Sequence, residues 1–331
     1  MSHIDISALF EEFKNLKVAI LGDVMLDTYW WGNTERISPE APVPIVSLQK
    51  MESRVGGAAN VALNVASLGA YTSIISIIGN DADGRTLTAL LATHGISTNL
   101  LLASNERITT NKTRVMSRNQ QMMRLDAEIT NDISAELEAE LLHKMKAQFE
   151  SEKPDLLIFE DYNKGVLSAD LIKSVIALCK AHGVVTTVDP KKKNFLAYQG
   201  VDMFKPNLKE VKEGLNLHLE QVDLSEMKQV HLALQQHLKH QISLITLSEK
   251  GVFYQRDNVA AIIATHVRNI ADVSGAGDTV IAVASMVFTI TKDMHLAAEM
   301  ANIAGGLVCE EVGTVAINRA LLLRESQQLL G

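Results

Sequence analysis

The feature that most constrains the fold is an alternation of short apolar segments with amphipathic ones. Segments rich in Val, Ile and Leu predict strands at 17–23, 72–79, 155–161, 184–190, 203–207 and 243–248. Apolar residues three or four positions apart predict helices at 57–69, 84–95, 135–150 and 168–183. Continuous apolar strands separated by amphipathic helices are typical of a mostly parallel sheet covered by helices on both faces. The sequence therefore predicts an α/β fold.

Polar residues follow several of the predicted strands at their carboxyl ends. They are Gly22-Asp23, Glu160-Asp161, Asp189-Pro190-Lys191, Lys205-Pro206-Asn207 and Ser248-Glu249-Lys250. Ligands of open α/β sheets bind outside the carboxyl ends of the strands. We therefore expect these polar groups to converge on one cleft.

Two segments depart from the alternation and predict a separate small sheet. Residues 27–49 contain three prolines, which suits an edge strand or a loop. Residues 107–126 alternate over part of their length, which would place four side chains on one side of a strand. These are Lys112, Arg114, Met116 and Arg118. We expect the two segments to form a β flap within a single domain covering 1–331, because no linker or repeat marks a second domain.

Composition and charge argue against several classes of protein. The net charge of −8 disfavours a general nucleic-acid-binding surface, because such surfaces are basic. The amino-terminal segment is acidic and amphipathic, whereas a secretory signal is basic and then apolar. No apolar run is long enough to span a bilayer. We expect a cytoplasmic protein whose two cysteines, Cys179 and Cys309, are reduced and buried.

The segment ADVSGAGDTVIAVAS, residues 271–285, places a glycine-rich turn before an apolar helix. Gly275 and Gly277 would allow positive φ angles and bring backbone N–H groups close to a ligand. A helix that begins there would direct its unpaired N–H groups and positive dipole end to the same point, which suits phosphate. Asp278 is then either the base that takes a proton from a hydroxyl attacking the γ-phosphate of ATP or simply a helix cap.

Three ordered motifs resemble those of the ribokinase-like (PfkB) sugar kinases. They are RVGGAANVALNVASLGA (54–70), KPNLKEVK (205–212) and DVSGAGDT (272–279). The Lys-Ser/Thr of a Walker A loop and the G-x-G-x-x-G of a dinucleotide site are both missing from the expected places. The resemblance spans almost the whole chain. It implies a three-layer α/β sandwich with a mostly parallel sheet, a β flap that acts as a lid, and the use of ATP and Mg²⁺.

Other segments are similar to the D-glycero-β-D-manno-heptose 7-phosphate kinases within that family. They are 22–46, SRNQQMMRLD (117–126), DYNKG (161–165) and 273–283. This similarity implies phosphorylation of the sugar 1-hydroxyl in ADP-heptose synthesis for lipopolysaccharide. The chain ends soon after the kinase motifs, so it resembles the kinase-only form, with a separate adenylyltransferase acting later. It departs from the family pattern at DPKKKNF (189–195) and KPN (205–207).

The resemblance also implies roles for residues of the motifs. Asp278 would be the base. The backbone of Ser274, Gly275, Ala276 and Gly277 would form the anion hole. Sugar hydroxyls would be bound by Asp27 and Asn60 beside Gly56 and Gly57, with local helix capping as the alternative.

A phosphate on the sugar requires basic partners. The candidates are Lys112, Arg114, Arg118, Arg124 and Lys164, with Asp161 nearby. The alternative for the flap residues among them is a solvated surface.

The N-x-x-E motif, Asn207 and Glu210, would share a helix face and help to hold Mg²⁺ through water. The alternative is a helical first turn with a favourable carboxylate. The nucleotide would be bordered by Ser248, Lys250, Gly251 and Asn302, although small residues near Asn302 also suit close helix packing. His218, His231, His237 and His240 show no metal-ligand pattern, which favours surface positions.

Two other functions stay open. One is a kinase of the same fold that acts on another sugar or sugar phosphate. The other is a non-catalytic sugar- or nucleotide-binding regulator, against which the intact Asp278, Gly275 and Gly277 argue. The exposed apolar edge expected for the flap predicts a homodimer.

Overall fold

The computed structural model describes residues 5–118, 120–219, 221–266 and 268–331. In chain order, the strands are β1 (Lys17–Gly22), β2 (Val24–Ile37), β3 (Pro44–Gly57), β4 (Tyr71–Gly79), β5 (Ser97–Ser104), β6 (Asn111–Ser117), β7 (Gln120–Ala127), β8 (Leu156–Glu160), β9 (Val185–Asp189), β10 (Met203–Phe204), β11 (Ile242–Thr246), β12 (Val252–Arg256) and β13 (Val259–Ile263). The α-helices are α1 (Ile6–Glu12), α2 (Ala58–Ser67), α3 (Ala82–Thr93), α4 (Ala135–Glu152), α5 (Ala169–His182), α6 (Leu208–Gly214), α7 (Leu224–Leu238), α8 (Ala276–Thr291), α9 (Met294–Val308) and α10 (Arg319–Leu330).

The main sheet of the described residues has nine strands in the order β13-β12-β11-β10-β9-β8-β1-β4-β5. Every pairing from β11 to β5 is parallel, and β12 and β13 add an antiparallel hairpin at one edge. The predicted mostly parallel sheet is confirmed. The sequence patterns do not predict β5, β12 and β13. These strands lie toward the edges, and β5 alternates between buried and exposed residues instead of forming a continuous apolar run.

Helices cover both faces of the main sheet. On one face, α1, α2, α3, α8, α9 and α10 share a core with Val18 and Ile20 of β1. On the other face, α4, α5, α6 and α7 share a core with Ala19 and Leu21 of the same strand. Since successive strand residues point to opposite faces, β1 serves both cores. The predicted three-layer sandwich is confirmed. Across the described ranges, no helix combines the length and apolar character that a membrane crossing requires.

The second sheet, called the flap below, contains β3, β2, β6 and β7 in that order. This confirms the flap predicted from 27–49 and 107–126, although β2 begins earlier and β3 continues to Gly57. The prolines lie in the connection between β2 and β3 and at the start of β3, an edge strand that tolerates them. Arg118 follows β6 in a turn with φ of 47°, so it does not continue the strand face predicted for it.

The two faces of the flap differ in character. Trp31 stacks on Tyr29 with ring centroids 5.9 Å apart, and both alternate with Asp27 on what we call the cleft face. Trp30 points to the opposite, outer face and is 36% exposed. The prediction that the adjacent tryptophans face opposite ways is therefore confirmed.

The histidines divide into two groups. His218 and His237 are exposed, as predicted, but His231 and His240 are buried. The Nδ1 atom of His231 and the Nε2 atom of His240 lie 2.9 and 2.6 Å from the hydroxyl of Ser243 in β11. The prediction of surface positions is wrong for these two residues, because a serine of a central strand offers them a hydrogen-bond partner in the core.

Candidate active site

Three acidic side chains meet where strands β8 and β9 end beside α8. Glu160 ends β8, Asp189 ends β9, and the parallel register pairs these two residues directly. Asp278 reaches the same place from the first turn of α8. One carboxylate oxygen from each residue lies within 4.8 Å of the others, and all three side chains are buried. The predicted convergence of polar strand ends on one cleft is confirmed for Glu160 and Asp189.

Two lysines neutralise part of this acidic cluster. The ammonium group of Lys205 lies 2.7 Å from Asp189 Oδ2, and this lysine is only 2% exposed. The ammonium group of Lys191 lies 3.1 Å from Asp189 Oδ1 and 2.8 Å from Glu210 Oε1. Both cations come from the two segments, 189–195 and 205–207, in which the chain departs from the family pattern.

The three carboxyl groups have different pKa values for physical reasons. Burial, with Asp189 and Asp278 close by, raises the pKa of Glu160 well above its usual range. Burial also opposes ionisation of Asp189, but the nearby lysine ammonium groups outweigh it and lower the pKa of that residue. Burial raises the pKa of Asp278 to about 6, against the hydrogen bonds that it accepts. Asp278 is therefore mostly ionised at pH 7 and retains a useful basicity.

The glycine-rich turn begins α8 without a side-chain cap. Gly275 is the N-cap residue with φ of 78°, and a Cβ there would lie 2.9 Å from Asn60 Nδ2. Gly277 lies inside the first turn and does not have the positive φ expected of it. A Cβ on Gly277 would lie 3.6 Å from Asp189 Oδ2, so this turn borders the acidic cluster. The uncapped first turn, which includes Ala276, has the geometry of an anion-binding site.

Asp272 holds the turn in place. Its Oδ1 atom accepts hydrogen bonds from the backbone N–H and the hydroxyl of Ser274 at 3.0 and 2.8 Å. Its Oδ2 atom accepts one from the backbone N–H of Gly313 at 2.9 Å. The turn before α8 and the loop before α10 are therefore joined through one carboxylate.

Asp278 is held by two hydrogen-bond donors. Asn60 of α2 donates from Nδ2 to Asp278 Oδ2 at 2.7 Å, and the Tyr162 hydroxyl donates to Oδ1 at 2.8 Å. Since Gly275 is the N-cap, the cap alternative raised for Asp278 does not describe this structure. The sequence predicts that Asn60 binds the sugar. In the structure, its side-chain amide instead donates to Asp278, the carboxylate predicted to act as the base.

Asp27 lies on the cleft face of the flap, opposite a glycine. Its Oδ1 atom is 2.5 Å from Arg114 Nη1, and both side chains are largely shielded from solvent. A Cβ on Gly56 would lie 2.4 Å from Asp27 Oδ2, so only glycine fits there without movement. Gly57, the N-cap of α2, has φ of 60°. Thr314 donates to Asp27 Oδ2 at 3.3 Å. A shielded carboxylate beside an arginine suits the binding of vicinal hydroxyls.

The loop after β8 is organised by one buried carboxylate. Asp23 accepts the backbone N–H groups of Tyr162, Lys164 and Val166 at 2.9, 2.9 and 3.0 Å. Three such bonds fix the backbone of a segment that would otherwise be free to move. The fixed backbone presents Tyr162 to Asp278.

Asp161 has a different place from the one expected. Its side chain is fully buried and accepts hydrogen bonds from the Tyr198 hydroxyl at 2.8 Å and Asn194 Nδ2 at 3.3 Å. The structure therefore assigns Asp161 to an interior network and corrects the expectation that it contacts substrate. Its neighbour Tyr162 makes the contact with Asp278 instead.

Lys112 and Lys164 bring two ammonium groups close together near Tyr162. Lys112 Nζ lies 5.6 Å from the centroid of the Tyr162 ring. In the strand register, Lys112 of β6 is paired with Asp27 of β2. Burial and the nearby charge of Lys164 lower the pKa of Lys112. Lys164 Nζ lies 2.7 Å from Glu128 Oε2. Two neighbouring ammonium groups, of which Lys164 is paired with a carboxylate, leave a net positive charge that favours an anion.

The two remaining basic candidates are exposed. Arg118 lies in the turn after β6. Arg124 is 51% exposed and makes a two-pronged contact with Asp126, with Nε–Oδ1 at 2.8 Å and Nη2–Oδ2 at 2.9 Å. Asp126 is itself paired with Lys112 across β6 and β7, so its contact with Arg124 places that arginine beside the lysine pair.

Asn207 and Glu210 form a capping box at the start of α6. The Asn207 side chain accepts the Glu210 N–H at 2.9 Å, and the Glu210 side chain accepts the Asn207 N–H at 2.8 Å. This is the helical alternative raised from the sequence. Glu210 nevertheless adjoins the acidic cluster, because Lys191 links it to Asp189.

The residues expected near the nucleotide lie around the edge hairpin of the main sheet. Ser248 and Lys250 belong to a 3₁₀ turn before β12. Gly251 has φ of 94°, and a Cβ there would lie 1.8 Å from Ile263 O, so glycine is required for this approach. Asn302 of α9 donates to Ala264 O at 2.8 Å, just beyond β13.

The acidic cluster fits a divalent cation. Glu160 is fully buried, yet neither of its carboxylate oxygens has a hydrogen-bond partner among the residues that the structure describes. Oxygens of this kind beside Asp189 are the hard ligands that Mg²⁺ prefers. Glu160 is therefore the residue best placed to hold it, with Asp189 beside it, although both oxygens of Asp189 contact lysine ammonium groups. Both oxygens of Asp278 already accept hydrogen bonds.

Several site residues are not assigned a role from the sequence alone. Tyr162 lies inside the DYNKG segment, and its contact with Asp278 depends on how three separate elements meet. The pairing of Glu160 with Asp189 depends on the register of β8 and β9. The signal that points to them is the set of polar residues at strand ends, which includes Glu160, Asp189 and Lys205.

The sequence matches a known family of carbohydrate kinases over most of its length. The pattern of the pfkB family carbohydrate kinases matches residues 15–320. The chain belongs to this family. Within the PfkB family, it is 41% identical over 312 residues to the bifunctional protein HldE of Methylobacillus flagellatus, covering 94% of this chain and 63% of that relative.

A second relative is similar to this chain at a comparable identity and coverage. The bifunctional protein HldE of Helicobacter pylori is 36% identical over 299 residues, which cover 90% of this chain and 64% of that relative. The chain therefore spans less than two thirds of the length of these relatives.

Solved structures of similar fold include other PfkB-type kinases. Phosphofructokinase-2 from Escherichia coli in complex with potassium has a TM-score of 0.78 at 18% identity, covering 94% of this chain and 97% of that one. Arabidopsis thaliana ribokinase complexed with ribose and ATP has a TM-score of 0.70 at 16% identity, covering 93% and 99%. At these identities the likeness establishes the ribokinase-like fold.

Proposed function

We propose that this PfkB family member is an ATP-dependent kinase that phosphorylates the 1-hydroxyl of D-glycero-β-D-manno-heptose 7-phosphate. The observation that carries the proposal is that Tyr162 adjoins a base and a cation. Its hydroxyl contacts Asp278, and its ring lies 5.6 Å from Lys112 Nζ. An acceptor with a reactive hydroxyl at one end and a phosphate at the other would suit a site that offers both a base and a cation.

In the proposed reaction, Asp278 takes the proton of the 1-hydroxyl as the hydroxyl oxygen attacks the γ-phosphorus of ATP. A bond forms between that oxygen and phosphorus, the bond to the β–γ bridging oxygen breaks, and ADP leaves. The backbone of Ser274, Gly275, Ala276 and Gly277 would stabilise the charge on the transferred group. The products are the heptose 1,7-bisphosphate and ADP.

The flap would bind the acceptor. Asp27, oriented by Arg114, would accept hydrogen bonds from the sugar hydroxyls. Lys112 and Lys164 would bind the 7-phosphate, since burial and mutual repulsion make an anion favourable there. Arg118 and Arg124 would act at the exposed end of the flap, for example in attracting the substrate.

Glu160 and Asp189 would hold Mg²⁺, and Asn207 with Glu210 would contribute through water. When bound, Mg²⁺ neutralises charge on the phosphates of ATP. Ser248, Lys250, Gly251 and Asn302 would border the nucleoside of ATP, near the anion-binding turn of α8.

The sugar assignment is supported by the resemblance of 22–46 and 117–126 to heptose 7-phosphate kinases. It also fits the relatives named HldE, which are bifunctional and longer than this chain. We propose that an adenylyltransferase uses the product after removal of one phosphate, in ADP-heptose synthesis.

We also propose that two copies of the chain pair through the outer face of the flap. One row of paired residues crosses all four strands: Met51, Trp30, Val115 and Met123. Met51 is 64% exposed and Met123 is 56% exposed. An apolar row of this kind, in which Val115 is half-buried and the other three are exposed, favours an interaction surface.

The test of the acceptor class compares phosphorylated with unphosphorylated heptose. Lys112→Met and Lys164→Met should each raise KM for heptose 7-phosphate by about 10- to 100-fold, the usual loss for a charge-assisted hydrogen bond. KM for ATP and kcat/KM for unphosphorylated heptose should change little. Lys193→Met, which alters an exposed lysine paired with Asp132, is the matched control. Equal losses on both acceptors would contradict phosphate binding by the two lysines.

A further inference from the structure

The hydroxyl of Tyr162 occupies the position that a substrate hydroxyl needs. It donates to Asp278 Oδ1 at 2.8 Å, which is the distance and polarity of a hydroxyl ready to give its proton to a base. The other carboxylate oxygen accepts from Asn60 at 2.7 Å. Both oxygens of Asp278 therefore hold a donor that the protein itself supplies.

Tyr162 is fixed at both ends but is not part of the core. Its backbone N–H donates to Asp23, and its ring lies 5.6 Å from Lys112 Nζ and 5.2 Å from Lys191 Nζ. Ammonium groups near an aromatic ring attract it, so these contacts hold the side chain against Asp278. The side chain is half-buried, and it would have to turn away from Asp278 for another hydroxyl to take its place.

An ionised base beside the γ-phosphate creates a chemical problem. Water is smaller than a sugar and can reach Asp278 whenever the carboxylate is open. Asp278 would then take a proton from water, whose oxygen would bond to the γ-phosphorus while ADP leaves, giving inorganic phosphate. A kinase must suppress this side reaction to avoid wasting ATP.

We propose that Tyr162 is a specificity-determining residue whose hydroxyl occupies Asp278 until the acceptor hydroxyl replaces it, and so keeps water from the base. The proposal rests on the kinase function proposed above and deepens it. Tyr162 acts through Asp278, and its hydroxyl discriminates between water and a bound sugar. The bound sugar can displace it because contacts at Asp27 and the lysine pair contribute binding free energy that water lacks.

The test removes the hydroxyl and measures two rates with Mg-ATP. In Tyr162→Phe, ADP release without any sugar should rise by about tenfold relative to sugar phosphorylation, because one hydrogen bond to a carboxylate no longer competes with water. The gain should vanish in Tyr162→Phe combined with Asp278→Asn. An unchanged or lower ratio, or a gain that persists without Asp278, would overturn the proposal.

A second tyrosine provides a matched control. The Tyr198 hydroxyl also donates to a carboxylate at 2.8 Å, but this carboxylate is that of Asp161 in the interior. Tyr198→Phe should leave the ratio of hydrolysis to transfer unchanged. An equal rise in this variant would show a general loosening of the fold and would count against Tyr162.

A measurement on the unaltered protein covers the case in which Tyr162→Phe does not fold. The 1,5-anhydro analogue of the sugar phosphate lacks the 1-hydroxyl, so it should leave Tyr162 on Asp278 and ATP hydrolysis at its sugar-free rate. A clear rise would overturn the proposal. If the unaltered protein phosphorylates no sugar, the kinase proposal fails by itself. The role of Tyr162 is still tested in that case, because the rise in ATP hydrolysis expected for Tyr162→Phe depends on Asp278 and needs no sugar.

Discussion

Lys205 shows how one side chain sets the charge of the cleft. The sequence reveals it as a polar residue at a predicted strand end, in the segment KPN, which departs from the pattern that the resemblance implies. In the structure, its buried ammonium group lies 2.7 Å from Asp189. It therefore compensates a carboxylate that stands beside Glu160 and Asp278, and this lowers the repulsion that a phosphate group would meet.

Replacement of Lys205 should destabilise the fold. Lys205→Met leaves a buried carboxylate without one of its partners, which costs about 3 kcal/mol of unfolding free energy. Lys193→Met removes an exposed ion pair with Asp132 and should cost less than about 1 kcal/mol. Urea denaturation at pH 7 measures both. Equal losses would show that the buried pair contributes no more than an exposed one.

The site residues differ in how far they can be predicted. Asp278 and Gly275 stand out because they belong to DVSGAGDT, one of three ordered motifs that resemble those of the PfkB kinases. Tyr162 does not, since its role depends on a 2.8 Å contact between the loop after β8 and the start of α8. Asp161 shows the converse: a carboxylate at a strand end looks functional, yet it binds Tyr198 in the interior.

Among the helices and strands, the central parallel strands are the most predictable. Strands β1, β4, β8, β9 and β11 are buried on both faces over most of their length, so their sequences are rich in Val, Ile and Leu, with a few buried Ser and Thr residues. The hairpin of β12 and β13 turns at Asp257, which has φ of 51°. Such short antiparallel strands are specified by a local turn and by contacts with the sheet edge, and apolar periodicity alone does not reveal them.

The connection between α7 and β11 should make the fold sensitive to acid. Burial, with His231 nearby, lowers the pKa of His240 to about 3, and burial also lowers that of His231. The folded state therefore binds fewer protons than the unfolded state, whose histidines titrate near pH 6.5. Stability is fully present above about pH 6.5 and falls as the pH drops toward 3.

His240→Asn tests this coupling. Protonation of one such histidine in the unfolded state lowers the unfolding free energy by about 2 kcal/mol at pH 5. Between pH 7.5 and pH 5, the unfolding free energy of the variant should therefore fall by about 2 kcal/mol less than that of the unaltered protein. His237→Asn, at an exposed position of α7, should keep the full pH dependence. Urea denaturation across this range provides the measurement. The same change of unfolding free energy with pH in His240→Asn as in the unaltered protein would contradict the prediction.

For the molecule as a whole, the flap is tied to the turn that begins α8. Arg54 of β3 donates to the carbonyl groups of Val312 and Thr314 at 3.2 and 3.3 Å. The backbone of Gly313, between them, donates to Asp272. One loop therefore touches both the flap and the turn that begins α8, so a movement of the flap would shift that turn.

The proposed pairing of two copies should depend on the centre of the apolar row. Trp30→Glu places a charge in that row and should raise the dimer dissociation constant by at least about 100-fold, since an unpaired charge is costly to bury. Leu232→Glu, at an exposed apolar position of α7, should leave the dimer intact. Sedimentation equilibrium over a range of protein concentrations decides between them. A monomeric unaltered protein would refute the pairing.

The most direct measurement is product formation from Mg-ATP with four sugars: heptose 7-phosphate, unphosphorylated heptose, fructose 6-phosphate and ribose. We expect ADP release and a 1,7-bisphosphate only with heptose 7-phosphate, and a loss on the order of 10³-fold in Asp278→Asn. Turnover on another sugar would keep the kinase and contradict the heptose assignment. Full activity in Asp278→Asn would contradict the role of Asp278 as the base.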